Sequence, residues 1–276
     1  MKLSIITINY NNCKGLERTL HSIQSQTSHD FEWIVIDGGS TDGSRELIEQ
    51  HQDSMSYWCS EPDKGRYNAM NKGVLKAKGE YCLFLNSGDH LCNEKIIKRL
   101  NETPFTADLV SCDLYVDGIS PFKINRSVDN VNAFWALDNT LSHPSTWIRR
   151  EILIRCPYRE NFERISDWTF FFEAIVIFKC SYQHIPIAIS VFYTDGISST
   201  PVPAGNNDRT LFLSEFFPLT FIAAERSDPF HGMTIGISRM TKFGKALIAF
   251  LFKLVAYLEY KLFLPIGKIW LFLKNK

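Results

Sequence analysis

Three polar clusters carry residue types suited to a phosphorylated ligand. Asp37-Gly38-Gly39-Ser40-Thr41-Asp42-Gly43 follows an apolar run; its glycines permit a tight turn and Asp42 is placed to cap a helix. An acid at such a strand end can accept hydrogen bonds from a nucleotide base or ribose. A plain strand, turn and helix cap would use the same residues. Asn86-Ser87-Gly88-Asp89 ends another apolar run in a carboxylate. A hard cation such as Mg2+ takes oxygen ligands, commonly one or two carboxylates plus substrate phosphates, so Asp89 could bridge a metal to a diphosphate. The alternative is an Asn/Gly/Asp turn. Ser60 to Gly73 (S-E-P-D-K-G-R-Y-N-A-M-N-K-G) gathers acids, bases and amides around a helix N-terminus, which itself attracts phosphate. A solvated face can mix charges this way, but seldom beside two other such clusters.

The elements between these clusters decide whether they meet. Leu3 to Ile8, Phe31 to Ile36, Tyr57 to Ser60 and Tyr81 to Leu85 are short apolar runs rich in β-branched and aromatic residues, and read as strands. Leu16, Leu20 and Ile23, then Leu47 and Ile48, then Met70, Val74 and Leu75 follow helical spacing between them. Alternating strands and helices imply a parallel sheet with helices on both faces. Ligands of such sheets bind outside the carboxyl ends of the strands. The residues there are Thr7, Asn9 and Tyr10, then Asp37 to Asp42, Glu61 to Gly65 and Asn86 to Asp89. Beyond Asp113 the pattern loosens: strands are expected at Leu109 to Val116 and Thr146 to Arg149, a helix from Asp167 to Phe178, and a mobile loop from Gly196 to Asp208.

Composition sets the class. With 45% apolar and 22% charged residues the chain is globular, and 276 residues suit one large α/β domain. Seven cysteines without a C-x-x-C pair read as reduced thiols. Met1 to Ile8 reads directly as a strand, so no secretory leader is expected. The zero net charge conceals an asymmetry: from Gly232 onward eight basic residues face one acid, Glu259, and the body is correspondingly acidic. An acidic body argues against nucleic-acid binding.

In their order and spacing, D-G-G-S-T-D-G, S-E-P-D-K-G-R-Y-N-A-M-N-K-G and F-L-N-S-G-D resemble the family 2 glycosyltransferases of the GT-A fold, especially bacterial capsule and exopolysaccharide enzymes. The resemblance covers roughly residues 1 to 195. It implies a Rossmann-like α/β fold with a mostly parallel central sheet, a nucleotide-diphosphate sugar as donor, and a divalent cation, Mn2+ or Mg2+. It also implies that Thr7, Asn9, Asp37, Lys64 and Ser87 line the donor site and that Asp89 is the metal-binding end of the family's D-x-D motif. Ser142-His143-Pro144-Ser145-Thr146-Trp147 is similar to the segment whose histidine approaches the diphosphate. Ile165-Ser166-Asp167-Trp168 is similar to the segment carrying the catalytic base, here Asp167. Three positions depart from the pattern: the D-x-D position reads Ser87-Gly88-Asp89, the acid usual before the base is Ser166, and Y-D-A-M-N reads Tyr67-Asn68-Ala69-Met70-Asn71. The expected organisation is a catalytic domain over residues 1–231, with a nucleotide-sugar half to 113 and an acceptor half from 114, then a basic tail over 232–276.

Lys242 to Leu264 is about long enough to span a bilayer, yet a lysine near its centre, Lys253, costs about 2.5–3.5 kcal/mol on insertion scales. At helical spacing Lys242, Lys245, Lys253 and Lys261 share one face, opposite Leu247, Ile248, Leu251, Leu254, Val255, Leu258 and Leu262. That pattern, with Trp270 and Phe272, predicts an amphipathic segment over 242–273 lying in an anionic inner leaflet, broken at Pro265. It places the protein peripherally on the cytoplasmic face and makes a lipid-linked saccharide the expected acceptor. The alternative is a helix pair packed on the catalytic domain or in a homo-oligomer. Two other functions fit the clusters less well: a sugar nucleotidyltransferase, whose Gly-rich, Lys-bearing loop is replaced by T-I-N-Y-N-N, and a non-catalytic carbohydrate-binding protein, with no use for Asp89 and Asp167 together.

Overall fold

A computed structural model describes residues 2–117, 123–194 and 207–216. The chain divides into two compact units, Met1–Val202 and Pro203–Lys276. Of the second only 207–216 are described; they hold helix α8 (Asp208–Leu213), with Phe212 and Leu213 buried. The tail over 232–276 and residues 196–206 of the loop predicted over 196–208 lie outside the described residues; Asp208, the predicted end of that loop, opens α8.

The first unit opens with β1 (Leu3–Asn9), α1 (Cys13–Gln24), β2 (Glu32–Asp37), α2 (Ser44–Gln50), β3 (Tyr57–Ser60), α3 (Arg66–Lys76) and β4 (Tyr81–Phe84). Every residue of β1, β2 and β4 is buried, as in parallel strands covered on both faces. Helices do cover both faces. Leu16, Leu20 and Ile23 of α1 join Leu3, Ile5, Val35 and Leu83 in one core. Against the other face α3 lies so close that a Cβ on Gly73 would come within 2.4 Å of Ile6. That contact requires a residue without a side chain.

Next come β5 (His90–Leu91), α4 (Ile96–Glu102), β6 (Leu109–Asp117), β7 (Lys123–Asn125), α5 (Ala133–Asp138), β8 (Thr146–Arg149), α6 (Arg150–Arg155), α7 (Ser166–Phe172) and β9 (Tyr182–Tyr193). The described strands form one sheet in the order β3-β2-β1-β4-β8-β6-β9-β5, with β7 on β6. β3, β2, β1 and β4 are mutually parallel and β6 is parallel to β9. β8 runs antiparallel between β4 and β6. The sheet is therefore mostly parallel, as expected.

Two elements differ from the sequence reading. The helix predicted over 167–178 is α-helical only to Phe172 and continues as a π-helical turn over Glu173–Ile177. The run from Tyr182, to which the sequence reading assigns no strand, is β9, the longest described strand. Pro186 demotes it as a strand on paper. The structure absorbs the proline at an irregularity: Cys112 pairs with Ile185 and Asp113 with Ala188, which leaves Pro186 and Ile187 out of register.

Candidate active site

Register brings the first cluster together. Asn9 lies opposite Asp37, and Asp37 opposite Ser60, so three strands end level. Asp37 is fully buried, and five donors from the chain already converge on it. Its Oδ1 accepts from Asn9 Nδ2 at 2.8 Å and Ser40 Oγ at 2.5 Å. Its Oδ2 accepts from Gly39 N at 3.2 Å, Ser40 N at 2.9 Å and Ser60 Oγ at 2.6 Å. Burial alone would raise its pKa, but the bonds from Ser40, Ser60 and Asn9 outweigh it and hold the carboxyl below its ordinary range. Asp37 is thus the knot that ties the Gly38–Gly43 turn to the strand ends. Thr7 is buried one step below, where its hydroxyl accepts the Trp33 indole proton at 3.0 Å and faces the core.

What the crevice exposes is different. Tyr10 is 66% exposed and packs beside Gly38 together with Asp63, whose Oδ2 leaves no room for a Cβ there. Lys64 is exposed, and its ammonium has no partner among the described residues. The buried Asn9 Oδ1 also accepts no hydrogen bond among them.

The β4 turn reaches the same edge through Ser87 N, which donates to Ile8 O at 3.1 Å. Asn12 Nδ2 donates to Ser87 O at 3.0 Å, and Thr19 Oγ1 to Asp89 O at 2.7 Å, so α1 holds the turn from below. Asp89 is 7% exposed, and its Oδ1 accepts from Tyr193 N at 3.3 Å. Arg18 stacks over the Tyr193 ring at 3.9 Å and donates to Gly88 O. Among the described residues no group of three or more His, Cys, Asp or Glu side chains is gathered as a metal cage. A cation bridging to a diphosphate needs only one or two protein carboxylates, so Asp89 fits as a single ligand in a site completed by substrate.

Asp167 and His143 are linked through two tyrosines, one of them on α3. Tyr67, buried in the first turn of α3, donates its hydroxyl proton to Asp167 Oδ1 at 3.1 Å. Burial, with Asp167 beside it, pushes the Tyr67 hydroxyl well above the ordinary tyrosine range, so it stays a donor. Tyr67 stacks on Tyr158 at 5.7 Å, and the Tyr158 hydroxyl lies 2.9 Å from His143 Nε2. Phe84, Tyr158 and Phe171 box the imidazole. Burial lowers its pKa against the pull of Asp167, so His143 is neutral at neutral pH. Tyr67 and Tyr158 thus connect the two residues in one chain of contacts.

The sequence reading misses the partners that stitch this chain down. Asn68 Nδ2 donates to Glu160 Oε2 at 2.9 Å and Asn71 Nδ2 to Glu160 Oε1 at 3.0 Å. Arg66 donates twice to Glu163 O. Polar residues at 66, 68 and 71 on one helix start are the only signal that something opposite must receive them. Asn68, at a departure from the family pattern, therefore has a partner that an aspartate would repel.

A model of glycosyl transferase family 2 matches residues 4–173. The chain belongs to that family. It is 30% identical over 216 residues to an uncharacterized glycosyltransferase of Mycobacterium tuberculosis, covering 73% of this chain and 79% of the relative. Among solved structures, the fold of this family 2 glycosyltransferase matches TarS 1-349 of S. aureus in complex with UDP-GlcNAc, with a TM-score of 0.61, 20% identity, and coverage of 77% of this chain and 64% of that one. It also matches the mannosyltransferase PcManGT of Pyrobaculum calidifontis in complex with GDP-Man and Mn2+, with a TM-score of 0.53, 17% identity, and coverage of 97% and 84%. These structures agree with the GT-A arrangement of sheet and helices described above.

Proposed function

We propose that the chain moves a sugar from a nucleoside-diphosphate donor to an acceptor hydroxyl by a single displacement with inversion. The observation that carries this reading is Asp167. It is a partly exposed carboxylate in the first turn of α7, oriented by a tyrosine that belongs to the donor-side helix α3. Asp167 takes the proton of the attacking hydroxyl. Tyr67 holds Oδ1 and leaves the rest of the carboxylate to the acceptor.

On the donor side, the knot at Asn9 and Asp37 sets the glycine turn, and Tyr10 offers a flat exposed face to a base. Lys64 and the N-terminal turn of α3 face the diphosphate with positive charge. Ser87 and Asp89 stand at the neighbouring strand end, where Asp89 would hold Mn2+ or Mg2+. Such an ion, when bound, neutralises charge that grows on the departing diphosphate. His143, kept neutral in its aromatic box, acts as a hydrogen-bonding wall of the site. The basic amphipathic sequence over 242–273 supports peripheral attachment to an anionic leaflet, and with it a lipid-linked saccharide acceptor. Among the described residues no helix is long and apolar enough to cross a membrane.

Release of nucleoside diphosphate from UDP-, GDP- and dTDP-sugars in Mn2+ or Mg2+ tests the reading. One donor class should be turned over, and Asp167→Asn should lower transfer by roughly 10²–10⁴ while leaving donor binding nearly intact. Transfer within tenfold of wild type would remove Asp167 from the role.

A further inference from the structure

A second concavity lies in the acceptor half. It holds about 230 Å³ and is walled by the segment after β7, by α5 and by the residues leading to His143. Its lining includes Arg126, Ser127, Trp135, Asn139, Thr140 and Ser142. Hydroxyls, the amides of Asn125 and Asn139 and one indole, with Val128 and Leu141 among them, suit a ligand that carries many hydroxyls and few apolar patches. The site described above uses none of these side chains.

One chain neighbour and one hydrogen bond place this cavity beside the chemistry. Ser142 is the residue before His143. Helix α5, which brings Trp135, is tied to α7 because Trp168 Nε1 donates to Ala136 O at 2.9 Å, and Trp168 follows Asp167. A ligand here lies next to the elements that carry both residues.

Arg126 sets the charge. It is exposed on the wall and makes no hydrogen bond or ion pair among the described residues. Two acids of this region share one imidazole: His184 Nε2 lies 2.8 Å from Asp113 Oδ1, and His184 Nδ1 lies 3.0 Å from Oδ1 of Asp129, which is itself largely exposed. Ser127 N also donates to Asp113, which fixes the segment after β7 that presents Arg126. A guanidinium left over in this way matches a carboxylate or phosphate in bidentate geometry.

We propose that this cavity binds a negatively charged sugar residue of the acceptor, with Trp135 under the ring and Arg126 on its carboxylate or phosphate. The proposal rests on the glycosyltransferase reading for its place in the reaction, but binding at the cavity can be measured without turnover.

Three probes are titrated against the full chain by saturation-transfer NMR: a glucuronic-acid-terminated disaccharide, glucose 6-phosphate and the matched neutral disaccharide. At least one anionic probe should bind tenfold or more tightly than the neutral one, and which of the two does so tells a carboxylate sugar from a phosphorylated one. Arg126→Gln should abolish the preference, Arg126→Lys should keep part of it, and Trp135→Ala should weaken all three probes. Equal binding of charged and neutral sugars by wild type, or a preference that survives Arg126→Gln, overturns the proposal. UDP and GDP are titrated in parallel. A charge preference at the cavity with no nucleotide binding would sink the donor-site reading and uphold the cavity. Nucleotide binding without sugar discrimination would do the reverse.

Discussion

At the scale of single residues, the structure separates groups bonded within the chain from groups with open surface. Asp37 and Thr7 are buried and bonded within the chain, while Tyr10, Lys64 and Asp167 have surface to offer. Tyr67 stands between the two kinds, and Tyr67→Phe isolates its role because the ring and its stack on Tyr158 survive. Losing one hydrogen bond to a charged group should cost roughly 1.5–3 kcal/mol of transition-state stabilisation, about 10–150-fold in kcat, with little change in donor KM. An unchanged kcat would mean that Tyr67 only packs. At the neighbouring strand end Asp89→Ala should abolish cation-dependent donor binding, and EDTA should mimic it; undiminished affinity in EDTA would shift the diphosphate onto Lys64, Arg66 or His143. The sequence made Asp89 and Asp167 visible through motif spacing. It could not show Tyr158 or Glu160, whose partners on α3 lie 87 to 92 residues away and which sit in no pattern of their own.

At the scale of elements, the residue pattern revealed the first four strands because each is a short run dominated by apolar residues, and the helices between them because their apolar residues recur at helical spacing. The part of the chain beyond Asp113 was harder to read for a physical reason. β9 hides Pro186 at an irregularity, and the helix after Asp167 changes to π geometry at Glu173, where the carboxylate takes Arg159 at 2.6 Å and Cys156 at 3.3 Å. Beside the strand pairing itself, His184 of β9 sits between Asp113 of β6 and Asp129. Burial pushes this imidazole down, but hydrogen bonds to the two carboxylates outweigh it and hold its pKa above the ordinary 6.5. The stabilisation is therefore complete below about pH 6.5, where even the unfolded chain is protonated, and it fades as pH rises through the higher folded value. Asp129 is largely exposed, so most of the effect belongs to Asp113. His184→Gln should lower Tm more at pH 5.5 than at pH 8.5, by about 2–4 °C for each kcal/mol lost. An equal loss at both pH values would show that the ring matters only through packing.

At the scale of the whole molecule, charge is segregated along the chain: an acidic body precedes a segment in which eight bases face one acid. For a family 2 glycosyltransferase this polarity has a use if the acceptor is held at a membrane, because the tail is drawn to anionic headgroups while the body is repelled by them. Four lysines on one face of 242–264 should each contribute about 1 kcal/mol near an anionic surface, and the leucine face opposite adds burial that salt does not screen. The full chain should therefore sediment with vesicles containing phosphatidylglycerol more strongly than with neutral ones. High salt should release part of it and leave the remainder bound. Replacing Lys242, Lys245, Lys253 and Lys261 by Gln should erase the preference for anionic lipid while keeping nucleotide binding, since every donor-side residue lies before Asp167. A helix pair packed on the catalytic domain or on a second copy predicts the opposite: no vesicle binding, and a substituted chain that loses stability or changes its oligomeric state. Indifference to lipid charge in sedimentation would rule out the interfacial tail.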